Sequence, residues 1–338
     1  MSKIKVVMTP SNNDYIQKMK ELLYKRNIEV KLLRYITPIT LFHILYLKLK
    51  GYSIFHFHFV YVFPSFFFMK FFIKFCKLLG FKIVFTVHNI IPHKSNKANI
   101  EKNKWLYNES DFRFVHYETN KKRLEDLGLN IDNLLVIDHP IYNIYENLIT
   151  QKEAREKLGI SKTKKVALCF GYIRKYKGLE YFVESLESLG DEYLGLIVGK
   201  SKDKDLIDFL RKKEKEMKNL TVIDKFVAQN EIQLYLNACD VVVLPYLEIS
   251  TSGAALLAYA FSKPVVASDV GCMRDVVDEK TGVLIKPEDA ESLTKGIEKI
   301  FTYDYNNMGK FANKRAIETY SWEKMIDSTE QIYQRIKS

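Results

Sequence analysis

Residues 240–271 read DVVVLPYLEISTSGAALLAYAFSKPVVASDVG, which parses as strand, loop, short helix, tight turn and second strand. Val241, Val242, Val243 and Leu244 form a continuous apolar run of the kind buried on both faces of a parallel sheet, and Pro245 stops it. Ser250, Thr251, Ser252 and Gly253 stand immediately ahead of an Ala- and Leu-rich helical stretch. Hydroxyls and unpaired amide N–H groups therefore gather where the helix dipole is positive. Such a start is either an ordinary N-cap or an anion pocket. Its place at the carboxyl end of a buried parallel strand favours the pocket, because open α/β sheets bind their ligands there.

About 75 residues upstream, Val166 to Phe170 is a second buried strand, followed directly by Gly171-Tyr172-Ile173-Arg174-Lys175-Tyr176-Lys177-Gly178 and an amphipathic helix from about Leu179. Glycine lets backbone approach a ligand, and cations at the start of a helix make charge-assisted bonds to phosphate oxygens. Strand, glycine-bearing loop and helix thus occur twice, each time with groups suited to one anion.

Pro245, the Ser-Thr-Ser-Gly helix start, Ala260-x-Ser262-x-Pro264-Val265-Val266 and Gly271 resemble the donor-sugar segment of the family-four retaining glycosyltransferases. The resemblance implies an α/β chain of GT-B fold, two Rossmann-like parallel-sheet domains facing each other across a cleft. It implies a nucleotide-sugar donor and no metal or other cofactor. Gly171, Arg174 and Lys177 match the loop that clamps the diphosphate, with Ser250, Thr251, Ser252 and Gly253 holding the same phosphates. Phe226 and Val227 fall where main chain touches the nucleobase. Aligned without gaps on Pro264, the family's ribose-binding glutamate falls on Leu257, and its sugar-facing glutamate falls on Ile249, leaving Glu248, one residue away, as the candidate carboxylate. Thr86-Val87-His88-Asn89-x-x-Pro92-His93 matches the segment opposite the donor and makes His88 a candidate contact for sugar or acceptor. His116 and His139, each near a strand end, are candidates for the same rim.

A chain of 338 residues is too long for one ordinary core. We expect an N-terminal acceptor-binding domain over 1–155, a nucleotide-sugar domain over 160–318 and a helix over 319–338 returning to the first domain, with the linker between Tyr142 and Ser161. The first half begins with a strand and an Asn-Asn loop in place of a Gly-rich turn, so it lacks the dinucleotide fingerprint. His56 and His58 share one face of a strand, either as metal ligands or as packed side chains, and packing is favoured because no acidic or cysteine partner lies nearby. Lys202-Asp203-Lys204-Asp205 contains an Asp-x-Asp triplet that reads as a solvated helix start rather than a metal site. Cys76, Cys169, Cys239 and Cys272 stand far apart in apolar runs, as free buried thiols of a reducing compartment do.

Charge is uneven. Residues 1–150 hold 22 Lys and Arg against 12 Asp and Glu, and positions 30–100 hold no carboxylate at all. No nucleic-acid motif accompanies this basic half, which leaves an anionic membrane as its expected partner. The run FPSFFFMKFFIKFCKLL at 63–79 is broken by Lys70, Lys74 and Lys77 and opens near a proline, so it does not span a bilayer. As a helix it sets the lysines on one stripe among phenylalanines, which suits a membrane interface or, alternatively, a helix packed on the sheet. Met1-Ser2-Lys3-Ile4-Lys5 leads into a strand too short for a signal peptide's apolar core, so a cytoplasmic chain, peripheral on the inner face of the cell membrane, is expected. The function expected is transfer of a sugar, with retention, to a glycan or polyprenyl-linked acceptor in cell-surface polysaccharide or glycolipid synthesis. The alternatives are a nucleotide-sugar epimerase or phosphorylase on the same fold, or a non-catalytic nucleotide-sugar-binding subunit.

Overall fold

The computed structural model describes residues 3–88 and 97–337, in two compact units. The first holds strands β1 (Ile4–Thr9), β2 (Ile28–Leu32), β3 (Ile54–Phe57), β4 (Lys82–Thr86), β5 (Phe112–Val115) and β6 (Leu134–Val136). They form one sheet in the order β2-β1-β3-β4-β5-β6, and every pairing is parallel. Each next strand can run parallel only after a crossover. Helices α1 (Asp14–Lys25), α2 (Thr40–Leu49), α3 (Phe66–Leu78), α4 (Lys97–Glu109) and α5 (Glu118–Asp126) supply them. Asn13, in the loop where a dinucleotide fold would carry glycine, is the N-cap of α1 and accepts from the Ile16 N–H at 3.3 Å.

In the second unit β7 (Lys165–Phe170), β8 (Tyr193–Val198), β9 (Leu220–Ile223), β10 (Val241–Leu244), β11 (Val265–Ser268) and β12 (Gly282–Ile285) form a parallel sheet in the order β12-β11-β10-β7-β8-β9. Its helices are α6 (Gln151–Leu158), α7 (Leu179–Glu187), α8 (Lys204–Glu216), α9 (Ile232–Ala238), α10 (Gly253–Ala260), α11 (Met273–Val276), α12 (Ala290–Thr302) and α13 (Tyr305–Thr319). Val241, Val243, Ala167 and Val266 from three neighbouring strands meet Phe182 and Ile297 in its core. The last helix, α14 (Trp322–Lys337), belongs to the first unit, where the Tyr15 and Trp322 ring centroids lie 5.5 Å apart and Arg26 pairs with Asp327 at 2.6 Å.

The domain boundary differs from the expected one. Residues 140–155, expected in the first domain or its linker, belong to the second unit, which runs from Pro140 to Ser321. The reason is a buried ion pair: Arg155 of α6 reaches Asp240 at 2.7 Å, with both side chains about 5% exposed. Asp240 also accepts from the Val166 N–H (2.7 Å) and Gln151 Nε2 (2.9 Å), and Arg155 donates to the carbonyls of Ala238 and Lys162. Helix α3 is anchored by Met69, Phe72, Ile73 and Cys76, the i, i+3, i+4, i+7 stripe of a domain helix, and is capped by Ser65. Its lysines are not one free stripe, since Lys77 pairs with Glu109 at 3.2 Å and Lys70 lies 4.3 Å over the Phe66 ring. Phe67, Phe71, Lys74 and Leu78 nevertheless remain exposed. Asp203 is the N-cap of α8, accepting from the Leu206 N–H at 3.1 Å. All four cysteines are free and buried, and burial raises their thiol pKa values, to about 12 for Cys239 and Cys272. Among the described residues no helix is long and apolar enough to cross a membrane.

Candidate active site

In the second unit the chain lays down β7, β8 and β9 outward in one direction, then returns to place β10 on the other side of β7. The adjacent central strands β7 and β10 therefore send their following loops in opposite directions, which is the topological switch point where such sheets hold ligands. Both loops singled out from the sequence follow these two strands.

The loops touch. The Leu247 N–H donates to the Tyr176 carbonyl at 2.9 Å, and the Tyr176 and Tyr246 rings lie 5.9 Å apart. Gly178 sits at φ +61°, and a Cβ there would run into the Pro245 carbonyl, so the approach requires glycine. Gly171 lies at the end of β7, with its N–H donating to the Val198 carbonyl. Arg174 precedes a 3-10 turn, Lys175–Lys177, and its guanidinium stands 5.4 Å from the Tyr172 ring centroid. Lys177 is buried, and its Nζ donates to the Phe170 carbonyl at 2.8 Å. Burial pushes this ammonium down to about 8, with the neighbouring Arg174 charge acting the same way and Cys169 opposing it.

Across from this loop α10 begins. Ser252 is its N-cap, accepting from the Ala255 N–H at 3.4 Å, and Ser250 is buried beside it. The Ser252 hydroxyl is thus engaged as a helix cap, and the anion-binding capacity of this segment lies in main-chain N–H groups and the helix dipole. A side chain at Gly253 would press on the ring of Tyr142, a contact that no sequence pattern announced. Thr251 and Glu248 share the loop and are half-buried. Phe226, largely exposed, and Val227 follow β9, at the sheet edge two strands from β7. Leu257 is half-buried on α10. The loop bearing Gly171, Arg174 and Lys177 and the loop leading to residues 248–253 therefore meet at Tyr176 and Leu247, while Phe226 and Val227 follow the edge strand β9.

His88 belongs to the first unit, two residues past β4, and Asn89, Pro92 and His93 lie outside the described residues. Four strand ends there converge on one set of imidazoles. His58 Nδ1 lies 3.2 Å from His88 Nε2, and His88 Nδ1 lies 3.2 Å from His116 Nε2. The centroids of His116 and His139 are 4.8 Å apart, and the Tyr15 ring packs edge-on to His58, His88 and His116. His56, one strand position deeper, bonds Tyr333 Oη and Thr86 Oγ1, which is packing of the kind favoured from the sequence. Burial, aided by the neighbouring rings, holds His58 and His88 well below the usual imidazole range, and burial brings His116 to about 4. These rings are neutral at ordinary pH.

Residues 150–315 match the family model described as glycosyl transferases group 1. The match lies within the second unit. The matched group 1 region contains both switch-point loops, and the histidine cluster falls outside it. Among similar proteins, the putative teichuronic acid biosynthesis glycosyltransferase TuaC of Bacillus subtilis is 24% identical over 231 residues, 67% of this chain and 56% of its own. The uncharacterized glycosyltransferase MJ1607 of Methanocaldococcus jannaschii is 25% identical over 53% of this chain and 47% of its own. The chain spans about half the length of the curated relatives it matches. In fold it is similar to sucrose-phosphate synthase from Thermosynechococcus elongatus, at a TM-score of 0.79 and 17% identity over 99% of both chains. It is similar also to the Anabaena protein HepE in complex with UDP, at 0.77 and 14% identity over 99% of this chain and 100% of that one. The two parallel-sheet units are thus those of the GT-B glycosyltransferase fold.

Proposed function

We propose that the chain transfers a sugar from a nucleotide-sugar donor to a hydroxyl of a glycan or lipid-linked acceptor, keeping the anomeric configuration and needing no metal for the transfer. The observation that carries this reading is the contact between the two loops at the β7/β10 switch point, one bearing Arg174 and Lys177, the other opening α10. A departing diphosphate develops charge as the sugar leaves, and preorganised cations and N–H dipoles stabilise it more in the transition state than in the bound donor. Arg174 supplies a permanent planar fork and Lys177 a desolvated point charge. Glu248 serves the sugar rather than the diphosphate. HepE was solved with UDP and relatives carry mannosyltransferase names, which supports a nucleotide-sugar donor without choosing its base. Incubation with a panel of UDP- and GDP-sugars and candidate acceptors, read by mass spectrometry, tests the class. Transfer to an acceptor is the expected result. Return of an epimerised nucleotide sugar, release of a sugar 1-phosphate, or nucleotide binding without turnover contradicts it.

The low pKa of Lys177 gives a pH signature. A bound diphosphate favours the charged amine, so above about pH 8 binding must take up a proton, and affinity for UDP or GDP falls by up to about tenfold per pH unit. Calorimetric titrations from about pH 7 to about pH 9 should show this slope in the wild type and not in Lys177→Met. A flat wild-type profile contradicts the assignment.

We further propose that the first unit docks on an anionic lipid surface. Phe67, Phe71, Lys74 and Leu78 share the exposed face of α3, and Ile39, Phe42, Tyr46 and Leu49 are exposed along α2. The two helices are tied where Lys48 donates to the Gly80 carbonyl at 3.2 Å, and no carboxylate occurs from 30 to 100. Each basic residue near such a surface contributes about 1 kcal/mol, so Lys70→Glu with Lys74→Glu should reduce cosedimentation with anionic vesicles by roughly thirtyfold or more. High salt should release the wild type. Equal partition of the wild type and this variant, or no binding at all, returns these side chains to ordinary surface.

A further inference from the structure

We propose that His88, His116 and His139 form a binding site in the first unit for a transition-metal dication of the Zn2+ class. The inference goes beyond the transfer reading and stands on the first unit alone. One ring nitrogen from each of the three lies within 4.8 Å of the others. They come from the ends of adjacent parallel strands β4, β5 and β6, a platform that holds their backbones in register.

A single hydrogen bond orients the set. The Ile137 carbonyl, 2.9 Å from His116 Nδ1, can only accept, so a neutral His116 carries its proton on Nδ1 and turns the Nε2 lone pair toward His88. That is how metal-ligating histidines are commonly held, with the second nitrogen donating to a carbonyl. The tautomers of His88 and His58 follow. His88 Nδ1 donates to His116, His58 Nδ1 donates to His88 Nε2, and the chain ends at His58 Nε2, a buried atom with no hydrogen-bond partner among the described residues. The imidazole chain therefore closes on an unsatisfied lone pair.

A metal ion resolves the His88–His116 contact differently. Two ligands of a tetrahedral ion with metal–nitrogen bonds of about 2.0–2.1 Å lie about 3.3 Å apart. His88 Nδ1 and His116 Nε2 already stand at 3.2 Å. When the ion takes the Nδ1 lone pair of His88, that ring's proton moves to Nε2 and is donated to His58 Nδ1, whose own proton moves to Nε2. No proton leaves the protein, and every ring stays neutral. Three uncharged imidazoles without thiolate or carboxylate suit Zn2+, Co2+, Ni2+ or Cu2+ rather than Mg2+ or Ca2+. His88 is half-buried while the other two are buried.

The test is a Co2+ titration of the untagged full chain after dialysis against chelator, followed by visible absorption, with no nucleotide present. One cobalt per chain with an intense low-coordinate ligand-field band, displaced by Zn2+ and not by Mg2+, is expected. His116→Gln and His139→Gln should each weaken binding by about tenfold or more, while His43→Gln changes nothing. Absence of the band in the folded wild type overturns the site whether or not either variant folds. Unchanged titration in both folded variants overturns it equally. Neither result bears on sugar transfer, and failure of transfer leaves this titration unaffected.

Discussion

Replacing Arg174 and Lys177 together by alanine should lower sugar transfer by about a hundredfold to a thousandfold, the loss typical when one preorganised donor to a developing charge is removed. The two cations differ in what they contribute. Lys177 is buried against the Phe170 carbonyl in a position fixed by the 3-10 turn, so its charge is poorly hydrated before any ligand binds. Arg174 lies at the mouth of the same loop, ahead of that turn. Lys177→Ala alone should therefore act chiefly on turnover, and Arg174→Ala on both affinity and turnover. Steady-state kinetics, with nucleotide affinity measured separately, distinguishes these. A double variant that binds and transfers like the wild type would mean the site is elsewhere.

The second large effect is on stability. Arg155→Met should destabilise the second unit by about 3–5 kcal/mol, because it strands the buried Asp240 carboxylate without its cation. Asp240→Leu leaves the guanidinium similarly stranded and also removes the acceptor of the Val166 N–H at the start of β7. The double replacement should recover part of the loss, since both ions leave together. Urea unfolding followed by a probe within the second unit checks this. A shift below about 1 kcal/mol for either single variant would contradict it.

How much was legible in advance depended on how local each signal was. The strand-loop-helix grammar of 166–178 and 241–260 was readable because buried β-branched runs and glycine-bearing loops declare themselves within a few residues. The pairing of β10 with β7, on which the site depends, is a matter of sheet order that no local signal in the sequence declared. The placement of α6 was not readable, because it rests on Arg155 meeting Asp240 across 85 residues of chain. Helix α2, TLFHILYLKL, gave no signal because it is apolar nearly all round and carries no side-chain cap. Residues 305–319 form their own helix after the Asp304 cap, a break that the sequence pattern after Asp289 did not announce. For the histidines, the sequence marked single residues near strand ends, and only the sheet order brought their rings within contact. Helix α3 was ambiguous for a physical reason. It has both a core stripe and an exposed aromatic face, so each of the two readings described one side of it.

The most direct test of the central claim is a crystal structure of the chain grown with UDP or GDP. The account predicts the diphosphate on Arg174, Lys177 and the main-chain N–H groups that open α10. A nucleotide bound away from the β7 and β10 loops, with those groups unengaged, would contradict it.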